Sequence, residues 1–110
     1  MATRKQREYL TLLDNSRLAA CTAVDVYNRI FHDYRDETSL IMLSNAWELL
    51  AKAILVKKKK SILAGTDPNY TITGEVAVNR LRTNNFLESN QEQLVQQIIS
   101  LRNIATHHIL

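Results

Sequence analysis

The segment from Asp36 to Lys58 restricts the fold more than any other part of the chain. Wound at about 100° per residue, it places Leu40, Leu43, Trp47, Leu50 and Ile54 in one stripe and Met42, Ala46, Leu49, Ala53 and Val56 in another. Only a narrow arc stays polar, made chiefly of Asn45, Glu48 and Lys52. A helix apolar on nearly every side needs neighbours on nearly every side, so it belongs in the middle of a bundle. Asp36 and Glu37 suit its positive end, and Lys57, Lys58, Lys59 and Lys60 suit its negative end. Polar side chains kept on such a helix require partners. Glu48 and Lys52 meet that demand in one of two ways. Either they pair with each other across one turn, or Glu48 holds a cation on another helix, for which Arg102 is the candidate.

The remaining segments agree with a helical domain. Two glycines and one proline in 110 residues leave little turn-forming or strand-breaking chemistry. A first helix is expected from about Arg4 to Tyr27 or Asn28, with Leu10, Leu13, Ala20, Val24, Tyr27 and Phe31 at three-and-four spacing. Asp14-Asn15-Ser16 is expected to fray or kink its middle, because such side chains compete for backbone hydrogen bonds. Arg29 to Arg35 is a short connection containing His32, a loop or packing histidine. Beyond the lysine run, Ser61-Ile62-Leu63 and Tyr70-Thr71-Ile72 flank a turn-forming run, the pattern of a small hairpin. Thr73 is the expected cap of a short helix to about Arg82, with Val76 and Leu81 inward, ended by Asn84-Asn85. Ser89-x-x-Glu92 fits a capping box opening the last helix. The expected fold is all-α: an antiparallel four-helix bundle with a small β-hairpin insertion between helices 2 and 3.

The last helix carries the one arrangement that looks like chemistry. Its apolar stripe is expected to be Leu94, Ile98, Leu101, Ala105 and Ile109. Arg102, Asn103, Thr106 and His107 then share a neighbouring arc of roughly 140°. A permanent cation, an amide and an imidazole on one surface suit phosphate chemistry, which wants a fixed charge and a group titrating near neutrality. Spacing alone is weak: eight Arg and three His supply ~0.2 such pairs by chance at any one separation. Cations at a helix C-terminus also suit the macrodipole without further function. His108 points roughly 240° round from Arg102, away from the arc, so His107 is the better candidate.

Composition narrows the classes. A net charge of +3 permits an anionic partner such as RNA without demanding one. The lysines at 57–60 are candidate phosphate contacts or simply a solvated helix end. Cys21, alone among Ala and Val, reads as a small buried hydrophobe, and one cysteine forms no intrachain disulfide, which favours a reducing, cytoplasmic setting. The charged N-terminal residues do not form a signal peptide, and no stretch approaches the roughly 20 apolar residues of a bilayer span. Three histidines and one cysteine give no zinc spacing, so neither metal nor other cofactor is expected.

Tyr34-Arg-Asp-Glu37, the run Leu40-Ile-Met-Leu-Ser-Asn-Ala-Trp-Glu-Leu-Leu-Ala-Lys-Ala-Ile54 and Leu101-Arg-Asn-x-x-x-His107 together resemble the HEPN superfamily (higher eukaryotes and prokaryotes nucleotide-binding). The chain looks closest to a prokaryotic HEPN-like group of unknown function, and the resemblance runs from the Ser16-Arg17 region to His108. It implies a helical bundle that dimerises so that two Arg-Asn-x-x-x-His motifs face one another. Many such proteins are metal-independent endoribonucleases of toxin–antitoxin, phage-defence and CRISPR-associated systems, while others bind RNA or nucleotide without cutting, or act as scaffolds. By this resemblance Arg102, Asn103 and His107 are catalytic; Glu48, Lys52 and Thr106 are the candidates to support them, and Lys57, Lys58, Lys59 and Lys60 the candidates to contact RNA. Val95 and Ile99 are expected to seal the dimer around the polar arc. Apolar Ile104, Ile109 and Leu110 at the end of the sequence imply either another chain covering them or a longer natural protein, of which residues 1–110 are the N-terminal domain.

Overall fold

The computed structural model of the chain describes residues 3–29, 33–65 and 70–109, the final three by backbone alone. Its elements are α1 (Arg4–Tyr27), α2 (Arg35–Lys57), α3 (Gly74–Thr83) and α4 (Ser89–Ile109). The boundaries expected for all four hold to within one or two residues, which is as fine as helix ends are defined. His32 and the hairpin turn at 66–69 lie outside the described residues.

α1 opens on a capping box. Thr3 Oγ1 accepts from the Gln6 amide at 3.1 Å, and Gln6 Oε1 accepts from the Thr3 amide at 2.8 Å. The helix runs unbroken through Asp14-Asn15-Ser16, where Ser16 turns inward and spends its hydroxyl on another helix. Its Oγ donates to the Ala46 carbonyl at 2.8 Å, and Ser39 Oγ donates to the Ala23 carbonyl at 2.7 Å. These two contacts set α1 antiparallel to α2. With Ala19 and Ala23 also buried, the interface is made of small residues that let the two helices approach closely. Of the side chains expected to face inward, Leu13 and Ala20 are half-buried, while Leu10, Val24 and Tyr27 are exposed. Cys21 is exposed as well, contrary to the buried role expected of it.

α2 is the central helix, touched by α1 on one side and by α3 and α4 on others. By length and hydropathy it would also pass as a bilayer span, contrary to the expectation that no stretch comes close. A bundle's central helix and a spanning helix share that composition. Its C-terminus closes in a Schellman motif: Lys60 N donates to Leu55 O at 2.8 Å and Lys59, at φ 60°, donates to Val56 O at 3.0 Å. α3 ends identically on Asn85, at φ 63°, with Phe86 N donating to Leu81 O at 2.8 Å.

The expected hairpin is reduced to one antiparallel bridge between Leu63 and Thr71, and no strand forms among the described residues. Ile62 and Ile72, on either side of the bridge, are drawn into the core, and Lys52 holds the Thr71 hydroxyl at 2.8 Å. The segment is therefore packed down onto α2 rather than extended beside it. It returns the chain to the middle of α2, so that Gly74 starts beside Glu48 and Phe86 ends beside Lys58. α3 thus runs parallel to α2, while α1 and α4 run antiparallel to it. Its buried face is Gly74, Ala77, Val78 and Leu81; Val76 points outward instead.

α4 starts one residue away from the expected cap. Glu88 occupies the cap position, its amide donating to Gln91 Oε1 at 2.8 Å, and its carbonyl accepts from the Glu92 amide at 2.9 Å. The core lies between α2, α3 and α4, around Leu55, Val78, Leu81, Val95 and Ile99.

Candidate functional site

Arg102 sits half-buried near the end of α4, on the side of the helix that faces α3. Its rotation differs from the expected one in a way that matters. The buried line of α4 is Val95, Ile99 and Ala105, with Arg102 and Thr106 half-buried beside it. Leu94 and Leu101 are instead 62% and 50% exposed. Arg102 and Thr106 are consequently turned toward the bundle while Asn103 stays exposed, and Val95 and Ile99, at 4% and 1% exposure, belong to the protomer's own core. They cannot seal a dimer.

The guanidinium is held by a relay. Arg102 Nε donates to Asn103 Oδ1 at 3.0 Å, and Asn103 Nδ2 donates to Glu75 Oε1 at 3.3 Å across to α3. Gln96 Nε2 donates to the Glu75 carbonyl at 3.1 Å, pinning the first turn of α3 to α4. Among the described residues Arg102 has no carboxylate partner within ion-pair distance, and its two terminal nitrogens make no hydrogen bond. A guanidinium fixed through Nε, with its fork unspent, is pre-organised for a bidentate oxyanion. Thr106 contributes less than expected: its Oγ1 donates to the Arg102 carbonyl at 2.9 Å, a bond within the helix backbone that leaves the guanidinium alone. The His107 side chain lies outside the described residues; its backbone continues α4 one turn beyond Asn103.

Glu48 does not hold Arg102. Its Oε2 lies 3.8 Å from Lys52 Nζ, and Lys52 is 7% exposed with the Thr71 hydroxyl as its hydrogen-bond partner. Glu48 also packs on the start of α3, where a Cβ on Gly74 would meet Glu48 Oε1 at 3.0 Å. One of the chain's two glycines is thus explained by a carboxylate lodged at a helix N-terminus, a favourable place for it. The Glu48–Lys52 pair stabilises the packing of α2 on α3 and the returning segment, and leaves support of the site to Glu75 and Gln96. Sequence reading missed both. Glu75 stands in the first turn of a short helix, where an acid needs no other reason to be present.

The lysine run is split by the Schellman turn. Lys57 Nζ lies over the Tyr9 ring at 5.1 Å and Lys58 Nζ over Phe86 at 5.8 Å, so neighbours in sequence cover different elements. Both stand at the end of the bundle where α4 begins, and α4 rises ~20 Å from there to Arg102. The lysines and Arg102 are separate features. No cluster of three or more metal-ligating side chains occurs among the described residues.

These features define a small all-helical bundle whose last helix presents a tethered arginine to solvent. The chain belongs to the DUF3644 family, a domain of unknown function whose model matches residues 11–110. No curated protein and no solved structure matches the chain.

Proposed function

We propose that the chain is a metal-independent endoribonuclease of HEPN type, acting as a homodimer in the cytoplasm of a prokaryote, in a defence or toxin setting. The observation that carries this reading is the Arg102 fork, fixed by Asn103 and Glu75 and unspent among the described residues, five positions before His107. In the proposed reaction a ribose 2′-oxygen attacks the adjacent phosphorus. The P–O2′ bond forms, the P–O5′ bond breaks, and the products carry a 2′,3′-cyclic phosphate and a 5′-hydroxyl. His107 takes the 2′-hydroxyl proton or gives one to the leaving oxygen, and the partner copy of His107 takes the complementary role. Arg102 stabilises the charge gathering on the phosphoryl oxygens. Asn103 aims Arg102, accepting from its Nε and donating to Glu75, and orients the phosphate or the imidazole with its remaining hydrogen-bonding capacity.

With Val95 and Ile99 committed to the core, the dimer is closed by other residues. Ile104, 65% exposed and adjacent to Asn103, and Leu101 border the site and suit that role. An antitoxin or larger assembly would be a further partner of the same face.

A second reading is a non-catalytic RNA- or nucleotide-binding module, favoured by the cations concentrated where the start of α1 meets the C-terminal end of α2. The deciding experiment is incubation with labelled single-stranded RNA in EDTA, wild type beside Arg102→Ala/His107→Ala. Cleavage by wild type alone, leaving cyclic-phosphate ends, is the expected result. RNA retention without cleavage, lost in Arg102→Ala, favours the binding module.

A further inference from the structure

The side of α1 turned away from the bundle is apolar where an exposed helix face would ordinarily be polar. The buried residues Ser16, Ala19, Ala23 and Val26 are centred about 180° from Cys21. Cys21 therefore stands on the outermost line of the helix, and it is exposed. Leu18 and Val24, 65% and 62% exposed, lie within about 60° of that line on either side, and Leu10 lies close to it about three turns earlier. Among the described residues α1 meets no helix but α2, so no other helix covers this side.

Charges are set into the apolar line in a particular order: Asp14 and Arg17 before Cys21, Asp25 and Arg29 after it. Within the protomer Arg17 pairs with Asp14 at 3.8 Å and Arg29 with Asp25 at 2.9 Å, at exposed positions where such pairs contribute little. Their order has a second consequence. Arg17 stands four residues before Cys21 and Asp25 four residues after, so the face is complementary to itself about a two-fold axis through Cys21. In that antiparallel arrangement Arg17 meets the partner's Asp25, Leu18 meets the partner's Val24, and Asp14 comes beside the partner's Arg29. An axis through residue 17 would set Arg17 on its own copy, and one midway between residues 19 and 20 would set Asp14 on the partner's Asp25. A parallel pair would set every charge beside its copy. Like charges placed so are unfavourable, and the charge order thus selects both the partner and the register.

We propose that the outer face of α1 is a self-association surface, on which α1 of a second copy packs antiparallel about a two-fold axis through Cys21. The contact is separate from the pairing of two Arg102 sites through α4, and it stands whether or not the chain cuts RNA. One helix wide, it falls at the small end of specific interfaces and is transient at micromolar concentration. A chain with two such surfaces builds tetramers or strings of dimers rather than dimers alone.

Cys21 is the single cysteine, so any covalent dimer joins Cys21 to Cys21. At the roughly 9–10 Å separation of packed helices the two Cα atoms are about 5 Å apart, within the span of a disulfide. The test is trapping with diamide, which takes up the two protons and two electrons released as the S–S bond forms, read as the initial rate of covalent dimer. Wild type is expected to trap at least about fivefold faster than Cys21→Ser/Asn28→Cys, whose thiol sits about two turns off the axis. Arg17→Asp alone and Asp25→Arg alone each set like charges across the axis, and each is expected to trap about fivefold more slowly or worse. Mixing the two variants sets opposite charges together again and is expected to restore trapping as a heterodimer. The two changes act in opposite directions on the reactivity of the thiol, so slowing in both is an effect of the contact. Both positions are exposed, so melting temperatures are expected to stay near wild type. Leu101→Glu/Ile104→Glu is expected to trap at the wild-type rate, because α4 takes no part. Undiminished trapping in both charge variants overturns the proposal, as does a thiol at position 28 that reacts as fast as Cys21. A mixture that does not recover overturns the register. Loss of trapping in Leu101→Glu/Ile104→Glu overturns the independence of the contact from α4.

Discussion

Asn103 spends both ends of its amide, receiving from Arg102 and donating to Glu75, so the aim of the guanidinium depends on a residue of another helix. Glu75 is exposed, and its removal should shift stability by less than about 0.5 kcal/mol. Glu75→Ala has two opposed effects on RNA. It frees Asn103 and Arg102 to swing, and it removes a negative charge beside the phosphate site. The expected signature is a split: kcat falls about tenfold, while KM stays level or drops. Glu75→Gln keeps an acceptor for Asn103 Nδ2 and is expected to restore most of kcat, a rescue that an effect of charge alone would not give. Lys52 and Glu48 belong to a different argument, since neither touches Arg102. Lys52→Met keeps the buried volume and leaves a partly exposed carboxylate that water can reach. Glu48→Ala strands a buried ammonium on one hydroxyl. Glu48→Ala is therefore expected to cost about 2 kcal/mol more than Lys52→Met in urea unfolding. Neither should change RNA cleavage per folded molecule. Equal costs would mean that water, not Glu48, solvates Lys52.

The helices were legible as elements and misread in their rotation. Ends were marked by side chains with strong local chemistry: Thr3 and Gln6, Thr73, Asn84 and Asn85, and the lysines at 57–60. The spacing of Leu10, Val24 and Tyr27 sets the expected rotation of α1, and those three are not its contact residues, whereas Tyr9, Leu12 and Val26 are turned inward. α1 meets α2 through Ser16, Ala19 and Ala23, whose hydrophobic signal is small because their use is close approach, not area. Leu10, Val24 and Tyr27 fall on a flank and dominate any periodicity count. The same holds in α4, where Leu94 and Leu101 outweigh Val95 and Ile99 in the pattern yet lie outside the buried line. Arg102 and Asn103 are adjacent in sequence and stay together whatever the rotation, whereas their partner Glu75 lies on another element and carries no local mark. Ser16→Leu is accordingly expected to destabilise the protein by about 1–3 kcal/mol through overpacking, and Ser16→Ala by about 1 kcal/mol through one lost hydrogen bond. Val24→Ser should change monomer stability by less than about 0.5 kcal/mol. If Val24→Ser proved the costlier change, the helix contact would have been assigned to the wrong face.

At the scale of the whole molecule the layout separates functions. α2 sits at the centre, among the described residues α1 meets no helix but α2, and α4 carries the tethered arginine beside the middle of α2 while a cationic cleft lies at the C-terminal end of α2. That layout leaves apolar side chains of α4 uncovered beside Asn103, and a dimer that brought two Arg102 forks together would cover them. The prediction is direct. Wild type should sediment as a dimer at micromolar concentration, and Leu101→Glu/Ile104→Glu should sediment as a monomer with an unchanged melting profile, because exposed positions contribute little to the fold. If each site needs the partner's His107, cleavage should fall together with dimerisation across a dilution series, and mixing the monomeric variant with Arg102→Ala should rescue nothing. A wild type that cleaves RNA while monomeric at every concentration would show that one protomer suffices and remove the facing-motif arrangement. A dimer unaffected by Leu101→Glu/Ile104→Glu would place the contact elsewhere, with the uncovered flank of α1 at Leu10, Val24 and Tyr27 as the next surface to charge.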